Sequence, residues 1–351
     1  MRPPLGRLRI QPVSCPPSDQ PSSVLPLVSV LIPTFNGLDY LKRLFPVLRS
    51  QALSGGVELC VVDSSSSDGT AEFLMAECES GAWSAGDLRG ISVRTIEREK
   101  FHHGRTRNQL AEIARGEFLV FLSQDALPRG TSFLATLLQP FEEERVAGVT
   151  ARVLPEPSHD PLTRRTVLKD PQAKAVGHEC SLEGARSFDS LSGAECLDLL
   201  RFNNVSSAIR ACVFSEIPFP EVDFGEDYAW AECALRAGWK TVFAPEAVAL
   251  HSHRYGARSA FERYRVDARF HATSHGLRLR PTLLSALRGI VYEVGADARF
   301  ILSGGGAPWH LLRSPGLRTG QILGQWVGSR SRVSDPAREP ENPPGSPSGA
   351  G

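Results

Sequence analysis

Acids at the ends of apolar runs carry most of the chemical promise of this sequence. Asp63 closes the run Val57 to Val62, and Asp125 follows Phe118-Leu119-Val120-Phe121-Leu122 after only Ser123 and Gln124. A run without polar alternation reads as a strand buried on both faces, in the middle of a parallel sheet covered by helices. Ligands of open α/β sheets bind just outside the carboxyl ends of such strands, so Asp125 is placed to hold a metal or a charged substrate. Asp125 with Pro128 and Gly130 behind it is equally ordinary turn chemistry, and on this stretch alone the two readings stand level. Further on, Leu250-His251-Ser252-His253 ends another apolar run. Two histidines at i and i+2 on a strand point to the same side, where an imidazole either completes a metal shell, suiting Mn2+ more than Mg2+, or hydrogen-bonds a loop. Arg105 and Arg107 open a predicted helix, where guanidinium groups and exposed amides can meet an anion. Asp223, Glu226 and Asp227 gather in a Gly-containing loop ahead of a further helix, which in isolation is common helix N-terminal chemistry.

The elements that must position these groups follow from periodicity. Leu27 to Ile32 reads as a strand, broken by Pro33 and by the Asn36-Gly37 turn, and Leu38, Leu41, Leu44, Phe45 and Leu48 follow at helical spacing. The unit repeats with a strand Val57 to Val62, a Ser-rich loop, and a helix opened by Asp68-Gly69-Thr70, Asp68 reading as its N-cap. A strand Ile91 to Ile96, a helix Arg105 to Arg115, a strand Phe118 to Ser123 and a helix Phe133 to Glu144 complete the series. Alternating β and α units of this length predict an α/β fold with a mostly parallel, right-handed crossover sheet and helices on both faces. Asp63 and Asp125 then emerge at one edge of that sheet. Phe202 to Ile209 reads as one more strand, with Asn203 and Asn204 either meeting a sugar hydroxyl or facing solvent at a sheet edge.

Composition restricts the partners. The 351 residues are 41% hydrophobic and 22% charged with a formal net charge of zero, ordinary for a globular protein and without a balance that favours nucleic acid. No nucleic-acid recognition motif is present, so no nucleic-acid partner is expected. The seven cysteines form no Cys-x-x-Cys pair, which predicts thiols in a reducing compartment. Without a signal pattern or an apolar run near the ~20 residues of a spanning helix, a cytoplasmic location is expected. Residues 1–26 and 333–351, rich in Pro, Ser and Gly, predict a disordered leader and tail. No Gly-x-Gly-x-x-Gly follows the first strand and no P-loop pattern occurs, so a diphosphate would need neutralising by a divalent cation on Asp125, helped by arginines.

Ser29-Val30-Leu31-Ile32-Pro33-Thr34-Phe35-Asn36, Val61-Val62-Asp63-Ser64-Ser65-Ser66-Ser67-Asp68-Gly69-Thr70, Gly104-Arg105-Thr106-Arg107-Asn108 and Phe118 to Asp125 resemble, in order, the motifs of family 2 glycosyltransferases, which have the GT-A fold. The similarity runs from about Leu27 to about His275. Phe101 to Asn108, Ser123 to Pro128 and Phe224 to Trp230 further resemble the bacterial rhamnosyltransferases that use dTDP-rhamnose. The resemblance implies a GT-A domain over 27–275 and an inverting transfer of a sugar, rhamnose by the closer similarity, from a dTDP- or UDP-sugar to a hydroxyl of a glycan or lipid-linked acceptor. It implies that Asp63 accepts the N3–H of a uracil or thymine ring, as an acceptor-only carboxylate can. Pro33, Thr34, Asn36 and Gln124, with Arg105, Arg107 and Asn108, are implied as further donor contacts, and Asn203 and Asn204 as acceptor contacts. Glu226 and Asp227 resemble the pair that carries the general base, with Asp227 the choice, and His251 resembles the metal-binding histidine beside Asp125 around Mn2+ or Mg2+. The family usually places Asp-x-Asp where this chain has Ser123-Gln124-Asp125, so the first acid is replaced.

Residues 276–332 mix Leu284, Leu287, Ile290, Val291 and Tyr292 with Arg278, Arg280 and Arg288. This helical extension reads either as packed back on the catalytic domain, the preferred arrangement, or as an amphipathic helix making peripheral contact with a membrane. Three other functions are weighed. A nucleotidyltransferase should open on a Gly-rich strand-end loop, which Pro33-Thr34-Phe35-Asn36 is not; a non-catalytic sugar-nucleotide binder is favoured by Ser123; a scaffold would have no use for Asp63, Asp125 and Asp227 on one rim.

Overall fold

The structure, a computed structural model, describes residues 27–182 and 188–331; the predicted disordered leader and tail lie outside them. A nine-stranded sheet runs in the order β3-β2-β1-β4-β8-β6-β9-β5, with β7 paired to β9 off this path. β1 (Val28–Thr34), β2 (Val57–Asp63), β3 (Leu88–Thr95) and β4 (Phe118–Leu122) form its parallel half. α1 (Leu38–Arg49), α2 (Thr70–Glu79) and α3 (His103–Ile113) alternate with them in the chain, as the repeating unit predicts. The side chains of β4 alternate between two cores. Phe118, Val120 and Leu122 join one with Val28, Val30 and Ile32, while Leu119 and Phe121 join the other with Leu31. Glu58, an acid inside buried β2, is held by the Arg115 guanidinium at 2.7 Å and by the Ser29 hydroxyl.

The other half departs from the mostly parallel expectation. β5 (Leu127–Pro128) is antiparallel to β9 (Lys240–Leu250), β6 (Val146–Leu154) is parallel to β9, β7 (His178–Cys180) is antiparallel to β9, and β8 (Ser206–Arg210) is antiparallel to both β4 and β6. The strand predicted over Phe202 to Ile209 therefore begins only at Ser206, because Asn203 and Asn204 turn the chain into β8. The helix predicted over Phe133 to Glu144 is α4 (Phe133–Leu138) followed by a tighter turn at Gln139–Glu142, where Pro140 interrupts α-helical bonding. The remaining helices are α5 (Pro161–Leu168), α6 (Gly193–Leu199), α7 (Ala211–Glu216), α8 (Glu226–Arg236), α9 (Ala257–Ser274), α10 (Leu283–Phe300) and α11 (Ser314–Gly328). Cys60, Cys78, Cys180 and Cys233 carry no bridge, whereas Cys212 is disulfide-bonded, a departure from the expected thiols.

The C-terminal helices are fastened in two ways. Gly320, Gly324 and Gly328 recur every fourth residue along α11, and a Cβ at each would run into the backbone carbonyl oxygens of Ala257, Phe261 and Arg265 on α9. The absent side chains let the two backbones touch. Beside this seam lies a buried ion cluster. Asp297 of α10 accepts from Arg318 Nε and NH2 at 2.8 Å, from Arg165 NH1 at 2.7 Å and from the Ser314 hydroxyl at 2.5 Å. Glu293 takes Arg165 at 2.8 Å and Lys169 at 3.1 Å. Among the described residues, no helix is long and apolar enough to cross a membrane.

Candidate active site

Two loops at the carboxyl end of the parallel strands are clipped to each other. Thr34 ends β1 and Asp63 ends β2, in register. Asn36 adopts a left-handed conformation, φ 47°, and its side chain accepts from the Ser67 amide at 2.9 Å. Asp68 accepts from the Leu38 amide at 3.1 Å and from Thr70, so it ties α1 to α2 as well as serving the start of α2. The position preceding α2 is Gly69 rather than Asp68. Asp63 is buried, with its oxygens facing the Ser66 hydroxyl at 2.5 Å and the Ser66 amide at 3.1 Å. Gln124 reaches across from the end of β4: its carbonyl oxygen accepts from Thr34 Oγ1 at 2.5 Å and from the Phe35 amide at 2.9 Å. Gly37 admits that amide, since a Cβ there would strike it. Arg98 lies 3.8 Å over the Phe35 ring, a contact that no sequence motif signalled.

Asp125 and two histidines converge one strand further along. The pairing of Leu127 with Leu250 brings the turn after β4 against the end of β9. His251 Nε2 lies 3.5 Å from one Asp125 oxygen and His253 Nε2 lies 3.5 Å from the other. The three side chains offer ligand atoms all within 4.8 Å of one another. Ser252 between them turns the opposite way, accepting from the Glu156 amide at 3.1 Å and meeting His159 Nδ1 at 2.5 Å. His251 and His253 lie just past the end of β9 rather than on the expected strand, yet both turn toward Asp125, and His253 stands in the same relation to it as His251. One carboxylate and two imidazoles suit a borderline divalent ion such as Mn2+ better than Mg2+, which prefers oxygen ligands. The cluster forms without an acid at position 123. Burial opposes the charge on Asp125, but the hydrogen bond and charge of His251, with His253 adding, hold its carboxyl below the usual range. Burial first, then His251, holds the His253 imidazole below the ordinary histidine value.

The acids of α8 are placed by packing. Gly148 in β6 has no side chain, and a Cβ there would come within 2.7 Å of the Trp230 ring. Trp230 therefore beds α8 on the sheet, its indole donating to the Ile217 carbonyl at 2.8 Å. Gly225 precedes the helix in a left-handed conformation, φ 79°, with Phe270 where a side chain would be. Glu226, which follows it, is buried and ion-paired to Arg107 NH1 at 2.9 Å, and also accepts from Asn204 Nδ2 at 3.3 Å. Asp227 accepts from its neighbour Tyr228's amide at 2.9 Å and from the Asn204 amide at 3.4 Å. It keeps some solvent contact while protein atoms surround it on most sides. Burial and then the adjacent Glu226 carboxylate push its pKa up to about 7. Val205, which follows Asn204, accepts through its carbonyl from the Ser123 amide at 3.0 Å. A short backbone relay, Ser123–Val205–Asn204, therefore links the Asp125 turn to Asp227.

Several residues expected at the site have protein partners. Arg105 makes a two-point contact with Glu221, at 3.1 and 2.9 Å. The Asn108 amide both donates to and accepts from the Phe219 backbone. Asn203 donates to Gln172 at 2.8 Å, and Asn204 Oδ1 accepts from Ser207. Pro33 lies within β1, and His102 accepts from the Arg105 amide at 3.4 Å, capping α3. Arg105 and Asn108 share one partner, the loop 218–221, which α3 grips through them and which no single motif disclosed.

Comparison with known proteins gives one consistent answer. Residues 29–181 match the family model described as Glycosyl transferase family 2. The O-antigen chain rhamnosyltransferase RfbN of Salmonella typhimurium is 28% identical over 250 residues, 70% of this chain and 73% of the relative. The O-antigen chain rhamnosyltransferase WbaN of Salmonella anatum is 28% identical over 252 residues, 71% and 73% of the two chains. In fold, the mannosyltransferase PcManGT of Pyrobaculum calidifontis superposes with a TM-score of 0.54 at 18% identity, covering 88% of this chain and 89% of its own. With the ordered strand-end motifs, the family match and these relatives in agreement, residues 29–181 form a glycosyl transferase family 2 domain, and the protein is a glycosyltransferase built on the GT-A fold.

Proposed function

We propose that the chain moves rhamnose from a nucleotide diphosphate, dTDP-rhamnose foremost, to a hydroxyl of a glycan or lipid-linked acceptor, with inversion at the anomeric carbon. The observation that carries this reading is the junction of Asp125 and Asp227 on one rim, linked through Ser123, Val205 and Asn204. Asp125, His251 and His253 would hold a divalent cation, which when bound supplies positive charge to the leaving diphosphate. Of the two α8 acids, Glu226 is committed to the Arg107 guanidinium. Asp227 makes no ion pair among the described residues, Arg107 offsetting burial and Glu226 only in part, and a carboxyl near 7 is matched to taking a proton at neutral pH. Asp227 is therefore the general base on the acceptor hydroxyl, and Glu226 with Asn204 positions it.

Asp63 is the pyrimidine-reading group in this proposal, its carboxylate meeting N3–H of thymine or uracil as the Ser66 hydroxyl gives way. Thr34, Asn36 and Gln124 shape the loop around the nucleotide rather than contacting it, since their side chains are engaged with each other and with the Ser-rich loop. The names of the Salmonella relatives support rhamnose as the sugar. Slow donor hydrolysis and transfer, measured over a panel of dTDP-, UDP- and GDP-sugars with Mn2+ present, test the proposal. Turnover of dTDP-rhamnose well above every other donor is expected; preference for a purine nucleotide would overturn the Asp63 assignment, and tight binding without turnover of any donor would make the protein a binder.

A further inference from the structure

The C-terminal helices are packed on the domain and amphipathic at once. α10 buries Ala286, Gly289, Glu293 and Asp297 against its neighbours. On the opposite side Leu284, Leu287 and Val291 recur at helical spacing and are 56%, 52% and 74% exposed. Trp309 and Leu312, in the segment after α10, are 60% and 86% exposed. Such a concentration of large bare apolar side chains marks an interaction surface.

Charge identifies the partner. Between Gly276 and Ser331 the sequence holds only two acids, Glu293 and Asp297. Both are buried and neutralised by Arg165, Lys169 and Arg318. Arg278, Arg288, Arg299 and Arg330 are exposed, so the charge this segment shows to solvent is wholly positive. Arg288 and Arg299 fall alongside the apolar stripe on the helical wheel. Arg280 and Arg288, with Thr282 and Ser285, line an open cleft of roughly 500 Å3 together with Leu284, Tyr292 and Glu293, whose carboxylate is already paired to Arg165 and Lys169. Gly289 makes the cleft by letting the Arg280 guanidinium lie across α10, where a Cβ would come within 3.1 Å of it.

We infer that this face docks on an anionic phospholipid bilayer. The leucines, Val291 and Trp309 enter the acyl boundary, while Arg280 and Arg288 with the two hydroxyls take a lipid phosphate. The arrangement holds the protein on one leaflet, since none of its described helices can span. A second copy of the chain would have to bring a face of the same positive charge against this one.

Flotation of the full chain with phosphatidylcholine vesicles, and with vesicles enriched in phosphatidylglycerol, tests the inference. Strong partition onto the anionic vesicles is expected, weakened by salt, with Arg288→Ala and Arg299→Ala each lowering it about fivefold. Leu287→Ser combined with Val291→Ser should lower it at least about tenfold. Those side chains are exposed, so the far-ultraviolet circular dichroism and melting temperature should not change. Equal binding to neutral and anionic vesicles, or binding indifferent to Leu287→Ser/Val291→Ser, would overturn the inference. So would self-association in sedimentation without lipid that the same pair abolishes while vesicles bind nothing, which would give the face to a second copy.

Discussion

Two sets of charged side chains are withdrawn from water in this molecule, and they are treated oppositely. In the cluster between α5, α10 and α11, both oxygens of Asp297 meet arginine at 2.7 to 2.8 Å, and Glu293 is shared by Arg165 and Lys169. At the strand-end rim, Asp125 has only two histidines at 3.5 Å, and Asp227 has backbone amides and a neighbouring carboxylate. The cluster is saturated and has nothing left to offer a ligand. The rim retains unspent acceptor capacity and a proton held near neutrality, which is what chemistry on a charged substrate requires. Burial alone does not mark an active carboxylate; incomplete compensation does.

The sharpest test of this contrast removes one carboxylate from each set. Asp125→Ala should bring transfer below detection and abolish Mn2+-dependent binding of the nucleotide diphosphate, with the melting temperature held or raised. Retained Mn2+-dependent binding, measured by calorimetry, would take Asp125 out of the metal set. Asp297→Ala should do the reverse. It leaves Arg318 buried without its carboxylate and Arg165 with Glu293 alone, at a cost of about 3 to 5 kcal/mol in chemical denaturation, while whatever protein stays folded still binds donor. An Asp297→Ala protein as stable as wild type would mean that the cluster is not the fastening it resembles.

Asp227→Asn tests the rim without changing its shape. Turnover should fall by a factor on the order of 10² to 10⁴ with donor affinity unchanged, and the wild-type rate should rise with pH through about 7. Parallel loss of donor affinity and rate would reduce Asp227 to a wall of the site. The same raised pKa has a stability signature. As pH rises from the ordinary carboxyl value of 3.8 towards about 7, the unfolded chain gives up a proton that the folded chain keeps, so Asp227 increasingly disfavours folding. The Asn variant should therefore gain stability over wild type across that window, with no further gain above it. The smallest effect is at Asp63, where Ala should weaken dTDP or UDP binding by about 1 to 3 kcal/mol and leave purine nucleotides as they were.

β1, β2 and β4 were legible because each is a buried, largely apolar run, with β1 and β2 leading into helices, whereas β3, with Arg89, Ser92 and Arg94 in it, was read only from Ile91 onward although it starts at Leu88. Asp63, Asp125 and His251 were legible for the same reason: each sits where such a run stops. The second half was harder, since short β5 and β8 owe their existence to partners far away in sequence, and Asn203 and Asn204 look like strand residues until the antiparallel pairing fixes where β8 starts. Arg105, Asn108 and Glu221 show a different limit. Polar residues at a helix start advertise a ligand, and only the folded arrangement discloses that the ligand of two of them is the loop 218–221 of the same protein. Glu226 and Asp227 are indistinguishable as letters, and become different through Arg107.

The glycine seam of α11 has a consequence for how this chain can be cut or altered. His251 and His253 lie in the short segment that joins β9 to α9, and α9 is the helix on which Gly320, Gly324 and Gly328 close. Arg313, just before α11, donates to the Tyr255 carbonyl at 3.4 Å and reinforces the same junction. A methyl group added at any of the three glycines acts as a shim, and its displacement is transmitted along a stiff rod to the imidazoles at the far end. Truncation after residue 275 would remove the splint outright, so the shortened chain, though it keeps every residue of the proposed active site, would hold them to looser tolerances than the whole protein does.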